Sequence, residues 1–287
     1  MCLLFAGGLG ISLAAIFVRL SEVGLSATAF WRLALAWPFF LSWLTFRERT
    51  HADSNRERKS AGQILTLTLP GLLFACDLAV WHWSINLTSV ANATLFTNCA
   101  PIPVAFIAWI WLRERVGAVF LVGLICALAG ASLVVGSSFE AGAQNVRGDA
   151  LGLLTALFYG SYIVSIKRAR ARFSTARIMS WSMPVACAVL LVIALASGEQ
   201  IVATSVAGWA VLVGLALCCQ IGGQGLIVYA LAHLPASLSS VSLLIQPIGA
   251  AFFAWLILHE SIGPMQAAGG ALVIAGIYLA RRGSHME

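Results

Sequence analysis

Two apolar stretches of the chain each carry a row of polar residues at helical spacing that ends at a proline. The two rows are Thr94, Thr97, Asn98 and Pro101, and Ser239, Ser242, Gln246 and Pro247. A proline inside a helix has no N–H to donate and leaves an upstream carbonyl without its partner. Each row therefore offers free carbonyls and a side-chain amide that could bind a polar ligand. The alternative is that these groups hold neighbouring helices together by hydrogen bonds.

A second group of candidates is charged or titratable. Arg32 and Asp77 lie at similar depth in consecutive apolar segments, and we predict a structural ion pair. Proton coupling through Asp77 is the alternative, because an unpaired buried carboxylate would be protonated. His82 could bind a substrate carboxylate or titrate, or it could lie at the membrane interface. Trp81 and Trp83 point to opposite faces, so at most one lines a cavity with His82, and Trp83 is our candidate.

Further polar groups lie near the middle of two later segments. Tyr159 and Tyr162 are one turn apart, and so are Gln220 and Gln224. An aromatic ring with a polar tip suits an amphipathic ligand, although all four are also ordinary packing residues.

Signatures of catalysis and of cofactor binding are absent from the sequence. Neither an HExxH metal motif nor a GxxxxGK[ST] phosphate loop occurs, and the seven cysteines have no CxxC spacing. The histidines are scattered along the chain. We therefore expect no metal, no cofactor and no enzyme activity.

The composition indicates an integral membrane protein. Of the 287 residues, 60% are hydrophobic and 10% are charged, whereas a soluble domain carries about 25% charged residues. A bilayer-spanning helix needs about 20 apolar residues. We predict an all-α protein with ten transmembrane helices, numbered one to ten, over residues 2–20, 26–46, 62–84, 90–111, 116–136, 148–166, 175–197, 207–230, 236–258 and 263–281.

One stretch of the chain occurs twice. Residues 101–130 and 247–276 align without a gap at a constant offset (247 − 101 and 276 − 130 both give 146), with twelve identities. The units 1–140 and 145–282 each contain five helices, and an odd number makes the second an inverted copy. Residues 283–287, GSHME, resemble an expression-vector remnant that we expect to lie outside the second unit.

The positive charges give the orientation. All but one of the Lys and Arg residues in the predicted connections fall on one side, the exception being Arg147. Basic residues accumulate in cytoplasmic connections. We therefore expect both termini in the cytoplasm of a bacterial inner membrane, and we attribute the net charge of +6 to topology and not to nucleic-acid binding.

These patterns carry a resemblance to a known family. A polar helix entry, a mid-helix proline, an apolar run and a glutamate corner run from Ala91 to Gly117 and again from Ser237 to Gly263. This arrangement resembles the EamA family of the drug/metabolite transporter superfamily, and the whole sequence looks most like the bacterial aromatic amino-acid exporters. The resemblance implies ten helices in two inverted five-helix repeats and the export of small metabolites. Residues 2–20 contain no acid, so the proton exchange of small multidrug relatives is not implied.

We therefore expect a secondary transporter that works by alternating access around a site walled by helices one, three, four, six, eight and nine. The expected partners are a small-molecule substrate and the lipid bilayer, and the protein would be a monomer or a homodimer. Export of drugs or other metabolites is the main alternative, and a channel or a membrane-embedded enzyme is a lesser one. The predicted hinges are Pro38, Pro101, Pro184 and Pro247. Glu114 and Glu260 are expected to be structural residues at helix starts.

Overall fold

The computed structural model describes residues 1–50, 61–88, 90–136, 146–259 and 263–285, and these residues form helices and turns without a β-strand. The α-helices are α1 (Cys2–Ser12), α2 (Ala14–Leu20), α3 (Leu25–Thr50), α4 (Ala61–Leu87), α5 (Val90–Thr97), α6 (Pro101–Ile107), α7 (Ala118–Gly136), α8 (Val146–Arg170), α9 (Thr175–Ala196), α10 (Val206–Gly214), α11 (Gly225–Ala230), α12 (Ala236–Ser242), α13 (Ile245–Leu258) and α14 (Pro264–His285). Two π-helical segments, Ala108–Leu112 and Leu215–Gln224, continue α6 and join α10 to α11.

Eight segments of the described chain are long and apolar enough to cross a membrane. They are Cys2–Leu20, Ala61–Ser84, Ala93–Leu112, Ala118–Val135, Val146–Arg170, Thr175–Ala196, Val206–Ala230 and Ala236–Ile257. Helices α3 and α14 contain 26 and 22 residues but are not among the eight. Both carry arginines within or near their ends, which lowers their mean hydropathy. Helix α14 also includes residues 283–285, which we expected to lie outside the second unit.

Four of the predicted helices are interrupted. Predicted helix one breaks at Leu13, and predicted helix eight contains the longer π segment. Predicted helix four breaks between Thr97 and Pro101, and Pro101 takes the first position of α6, where a missing N–H costs nothing. Predicted helix nine breaks after Ser242, and α13 then begins two residues before Pro247.

The other two predicted hinge prolines lie in continuous helices. Pro38 is inside α3, and Pro184 is inside α9. These helices pack against each other along their length. Of the four prolines, it is thus Pro101 and Pro247 that accompany an interruption of the helical backbone.

The main contacts between helices occur in matching pairs. Helix α4 packs against α8, and α1 packs against the π segment after α10. Helices α5 and α6 likewise pack against α8, as α13 does against α1. When each residue number is shifted by 146 into the other half, the first contact of each pair becomes the second. The α3–α9 and α7–α14 contacts map onto themselves under the same exchange.

Four glycines bring α7 and α14 into backbone contact. A Cβ on Gly123 would lie 2.6 Å from the carbonyl oxygen of Gly276, and one on Gly130 would lie 2.6 Å from that of Gly269. Small residues allow this close approach of membrane helices. These glycines therefore join the two halves within one chain.

Carboxylates in the connections cap helices of the opposite half. Glu114 accepts hydrogen bonds from the backbone N–H of Ala236 (2.7 Å) and of Ser237 (3.0 Å), and from the Ser237 hydroxyl (2.6 Å). The structural role predicted for Glu114 thus concerns α12 and not the adjacent α7, while Glu260 lies outside the described residues. Glu22 caps α10 through Thr204 and Ser205. The hydrogen bond from the Ser205 hydroxyl is the main cause that holds the pKa of Glu22 below its usual value.

Candidate functional site

A cavity of about 250 Å³ lies at the centre of the helices. Its wall includes residues of all six predicted helices, namely one, three, four, six, eight and nine, and also of α3, the second predicted helix. Most of the wall is apolar, which is typical of small-molecule sites with a few placed polar groups. The polar groups come from α1, α3, α4 and α8, from the π segment after α10, and from two helix breaks with the helix ends beside them.

The two predicted amides meet at this cavity. Asn98 lies in the break between α5 and α6, and Gln246 lies in the first turn of α13. Their amide nitrogens, Nδ2 of Asn98 and Nε2 of Gln246, are buried and make no hydrogen bond of normal geometry to the described residues, although the Gln246 amide lies close to the Tyr159 hydroxyl. Two such donors at matching helix breaks are available to a ligand.

The hydroxyls of the two rows have different positions. Thr94 and Thr97 line the cavity, as predicted for their face. Ser242 does not line it, and its hydroxyl donates to the carbonyl of Leu238 at 2.8 Å. The break after Ser242 changes the helical phase, so that Ser240 reaches the cavity in its place.

The predicted Arg32–Asp77 ion pair is not formed as a direct contact. Both side chains are buried and line the cavity, but no nitrogen of Arg32 lies within 4.0 Å of a carboxylate oxygen of Asp77. Arg32 Nε instead donates to Gln220 Oε1 at 2.8 Å. Gln220 therefore holds Arg32 from behind the cavity and is not a lining residue itself.

One face of α4 supplies several of the aromatic and titratable residues of the wall. Phe74, Asp77, Trp81 and His82 line the cavity at the spacing of a single helical face. Trp83 was our candidate to line the cavity beside His82, but its side chain is 55% exposed on the outer surface of the helix. Trp81 is the tryptophan beside His82 in the cavity.

Of the two tyrosines of α8, one lines the cavity and the other does not. Tyr159 lines the cavity, whereas Tyr162 is 3% exposed and lies behind the wall. Gln224, which lines the cavity, donates from Nε2 to the Tyr162 hydroxyl at 2.7 Å. Tyr162 and Gln220 instead border a second cavity of about 10 Å³. Both residues support lining residues and do not touch the central space.

Besides Ser240, three hydroxyl residues that were not among the predicted site residues also line the cavity: Ser12, Thr28 and Thr155. The Ser12 hydroxyl lies 3.0 Å from the carbonyl oxygens of Gly8 and of Gln246 and donates to them. The contact with Gln246 connects α1 to the start of α13 in the opposite half. The same rule that selected Asn98, a polar residue within an apolar helix, would have found all three. Within the described residues no cluster of His, Cys, Asp and Glu could hold a metal ion.

Comparisons with known proteins agree with this architecture. The sequence pattern of the EamA-like transporter family matches residues 1–136 and again residues 146–282. An uncharacterized transporter of Archaeoglobus fulgidus is 24% identical over 94% of this chain and 93% of its own length. The pseudopaline exporter CntI of Pseudomonas aeruginosa is 26% identical over 75% of this chain and 74% of its own.

The uncharacterized transporter YoaV of Bacillus subtilis is 26% identical over 84% of this chain and 82% of its own. A crystal structure with 16% sequence identity superposes with a TM-score of 0.82 over 97% of this chain and 95% of the other chain. At that identity the superposition establishes the fold alone.

Proposed function

The chain belongs to the EamA-like transporter family and is a membrane transporter, and from this premise we propose that it exports small amphipathic metabolites, above all amino acids with aromatic or apolar side chains. Transport is secondary and proceeds by alternating access through the central cavity. The metabolite leaves the cytoplasm across the inner membrane of a bacterium.

The observation that carries this proposal is the pair of unpartnered amides, Asn98 Nδ2 and Gln246 Nε2. Leaving a buried donor without a partner costs about 1–3 kcal/mol. A ligand that accepts hydrogen bonds from both amides removes that cost, and water can replace the ligand when the cavity opens. The amides thus favour a bound state that is reversible, as a transport site requires.

The remaining wall favours an amphipathic ligand. The rings of Phe74, Trp81 and Tyr159 line the same cavity as the amides. Aromatic rings offer a large apolar contact area, and Tyr and Trp add a hydrogen-bonding tip. Export of another class of metabolite is the alternative, and the similarity to a protein named a pseudopaline exporter keeps it open.

We propose that α3 and α14 also cross the membrane, which gives ten helices in two inverted repeats, 1–140 and 145–282. The matching contact pairs support this arrangement, because each contact has a counterpart with the halves exchanged. The reciprocal glycine contacts, Gly123 with Gly276 and Gly130 with Gly269, support it as well. Both termini are then cytoplasmic, and the breaks at Pro101 and Pro247 are the places where the halves change conformation.

The test is flux through the purified protein in liposomes loaded with labelled tryptophan, labelled leucine or a cationic dye. We expect saturable flux of the two amino acids. Flux of the dye without either amino acid would contradict the proposed substrate, and current steps in place of saturable flux would indicate a channel.

Variants at the amides test the site. Asn98→Ala and Gln246→Ala are each expected to reduce transport about tenfold, the equivalent of one lost hydrogen bond in a desolvated site. Gln200→Ala is the matched control, because this exposed glutamine bonds to its own loop through the carbonyl of Val202. If both cavity variants transport as well as the control, the site assignment is wrong.

A further inference from the structure

An arginine and an aspartate share the cavity without touching. Among the described residues that line it, Arg32 is the one Lys or Arg and Asp77 is the one Asp or Glu, and their side chains are 8% and 6% exposed. They are close enough for their charges to interact, yet more than 4.0 Å separates their charged atoms. A structural ion pair would bring the two groups into contact, so this spacing needs another explanation.

The guanidinium of Arg32 is held in a fixed orientation. Its Nε donates to Gln220 Oε1 at 2.8 Å, and its Cζ lies 5.9 Å from the centroid of the Phe74 ring. A guanidinium has five N–H donors in a planar fork. The terminal nitrogens of Arg32 make no hydrogen bond to the described residues, so the fork that matches a carboxylate remains available.

The carboxylate of Asp77 is likewise available. It lies one helical turn from Phe74 and from Trp81 on the cavity face of α4, and no described residue donates a hydrogen bond to it. Burial without a hydrogen-bond partner disfavours the ionised form of this carboxyl group, and an ammonium group brought against it favours the ionised form again. Arg32 and Asp77 thus each lack a partner on the side that faces the cavity.

We propose that Arg32 binds the carboxylate and Asp77 the ammonium group of one zwitterionic substrate, an α-amino acid or a compound with the same two groups. This inference rests on the proposed function and specifies its substrate class by charge. A zwitterion gives both residues a hydrogen-bonded counter-charge at once, whereas a simple amine or a simple acid leaves one of them without a partner. Gln220 acts as a positioning residue that aims the Arg32 fork into the cavity.

The apolar wall defines the remainder of the substrate. Trp81 and Tyr159 line the cavity together with the aliphatic side of α1 and α2, represented by Ile11 and Val18. A side chain attached to the charged end of the substrate would contact these groups. The two charges therefore select the head of the molecule, and the wall selects an apolar tail.

The wild-type protein tests the proposal without any substitution. Tryptophan, tryptamine and indole-3-propionate share one ring system. Tryptophan carries both charges, tryptamine carries only the positive charge, and indole-3-propionate carries only the negative charge. We expect tryptophan to stabilise the detergent-solubilised protein against heat at concentrations about 10- to 100-fold lower than either analogue, the ratio given by one charged hydrogen-bonded contact. Equal potency of the three compounds would overturn the proposal.

Substitutions should then change the preference in opposite directions. Arg32→Gln is expected to weaken the binding of tryptophan and to leave the binding of tryptamine unchanged. Asp77→Asn is expected to weaken the binding of tryptophan and to leave that of indole-3-propionate unchanged. Gln220→Leu should raise the KM for tryptophan without lowering the maximal rate, as expected for a misdirected Arg32. Arg177→Gln is the control, because Arg177 forms an exposed ion pair with Glu48 at 2.8 Å.

The outcomes separate this inference from the proposed function. If the wild-type protein gives saturable flux that is equal for the three compounds, the proposed transport function is retained and the proposed role of Arg32 and Asp77 is wrong. If liposomes give no saturable flux of any compound, the proposed function fails, while heat stabilisation still reports on binding. A variant that loses all three ligands equally would show a structural role for its charge and contradict the proposal.

Discussion

Substituting Gly130 with alanine should push α7 and α14 apart. The added Cβ would lie 2.6 Å from the carbonyl oxygen of Gly269 and 2.6 Å from the backbone nitrogen of Val273. Both atoms belong to the backbone, so no side-chain rotation can relieve the contact. Overpacking of this kind costs about 1–3 kcal/mol, and alanine recovers up to about 1 kcal/mol through its helix propensity. We expect Gly130→Ala to lower the free energy of unfolding by about 0.5–2 kcal/mol.

The measurement is equilibrium unfolding in mixed detergent micelles, followed by circular dichroism. Gly263→Ala is the control, because no described residue lies within 4 Å of a Cβ at that position, and it should stay within about 0.5 kcal/mol of the wild type. Gly269→Ala should lower the free energy of unfolding less in the Gly130→Ala variant than in the wild type, because the helices are already separated there. If Gly130→Ala is as stable as the control, the close α7–α14 contact is wrong.

Three further predictions follow from other contacts. Trp81→Ala should reduce tryptophan transport about tenfold through the lost ring contact, whereas Trp83→Ala, on the exposed face of α4, should not, and the reverse order in a liposome flux assay would contradict the assigned face. Glu114→Ala should lower the free energy of unfolding by about 1–2 kcal/mol because α12 loses its cap, and a stability unchanged in micelles would refute that role. Glu22 has a folded pKa below 4.5, so its contribution to stability is complete above the unfolded pKa and is lost as the pH falls through the folded value. The stability difference between the wild type and Glu22→Gln should therefore shrink in acid below pH 4.5, and a difference that grows in acid would reverse the assigned sign.

The sequence was sufficient to locate the cavity because its signals are periodic. Asn98 and Gln246 stand out as amides inside apolar helices, and both lie beside prolines that recur at the same offset. Helical spacing then places the Thr94 and Thr97 hydroxyls on the face of Asn98, where the structure has them. These inferences need only one helix at a time, and the regular geometry of a helix supplies the rest.

The errors arose where the answer depends on a neighbouring helix. Trp81 and Trp83 both flank His82, and their positions along α4 do not say which face meets the other helices. Arg32 and Asp77 both line the cavity, but the residue that binds Arg32 Nε, Gln220, lies 188 positions away in the chain. Depth and periodicity describe each helix alone, whereas the choice of a partner requires the packing of three.

The contact of Glu114 with α12 has a consequence for biosynthesis. The ribosome completes the first five helices well before Ala236 exists, and the capped N–H of that residue lies 122 positions after its acceptor. Until α12 has been synthesised, the carboxylate therefore lacks the backbone donors from which it accepts in the folded protein. The acceptor is consequently in place before the helix it caps, so that the newly inserted segment can dock by its first turn as it leaves the translocon.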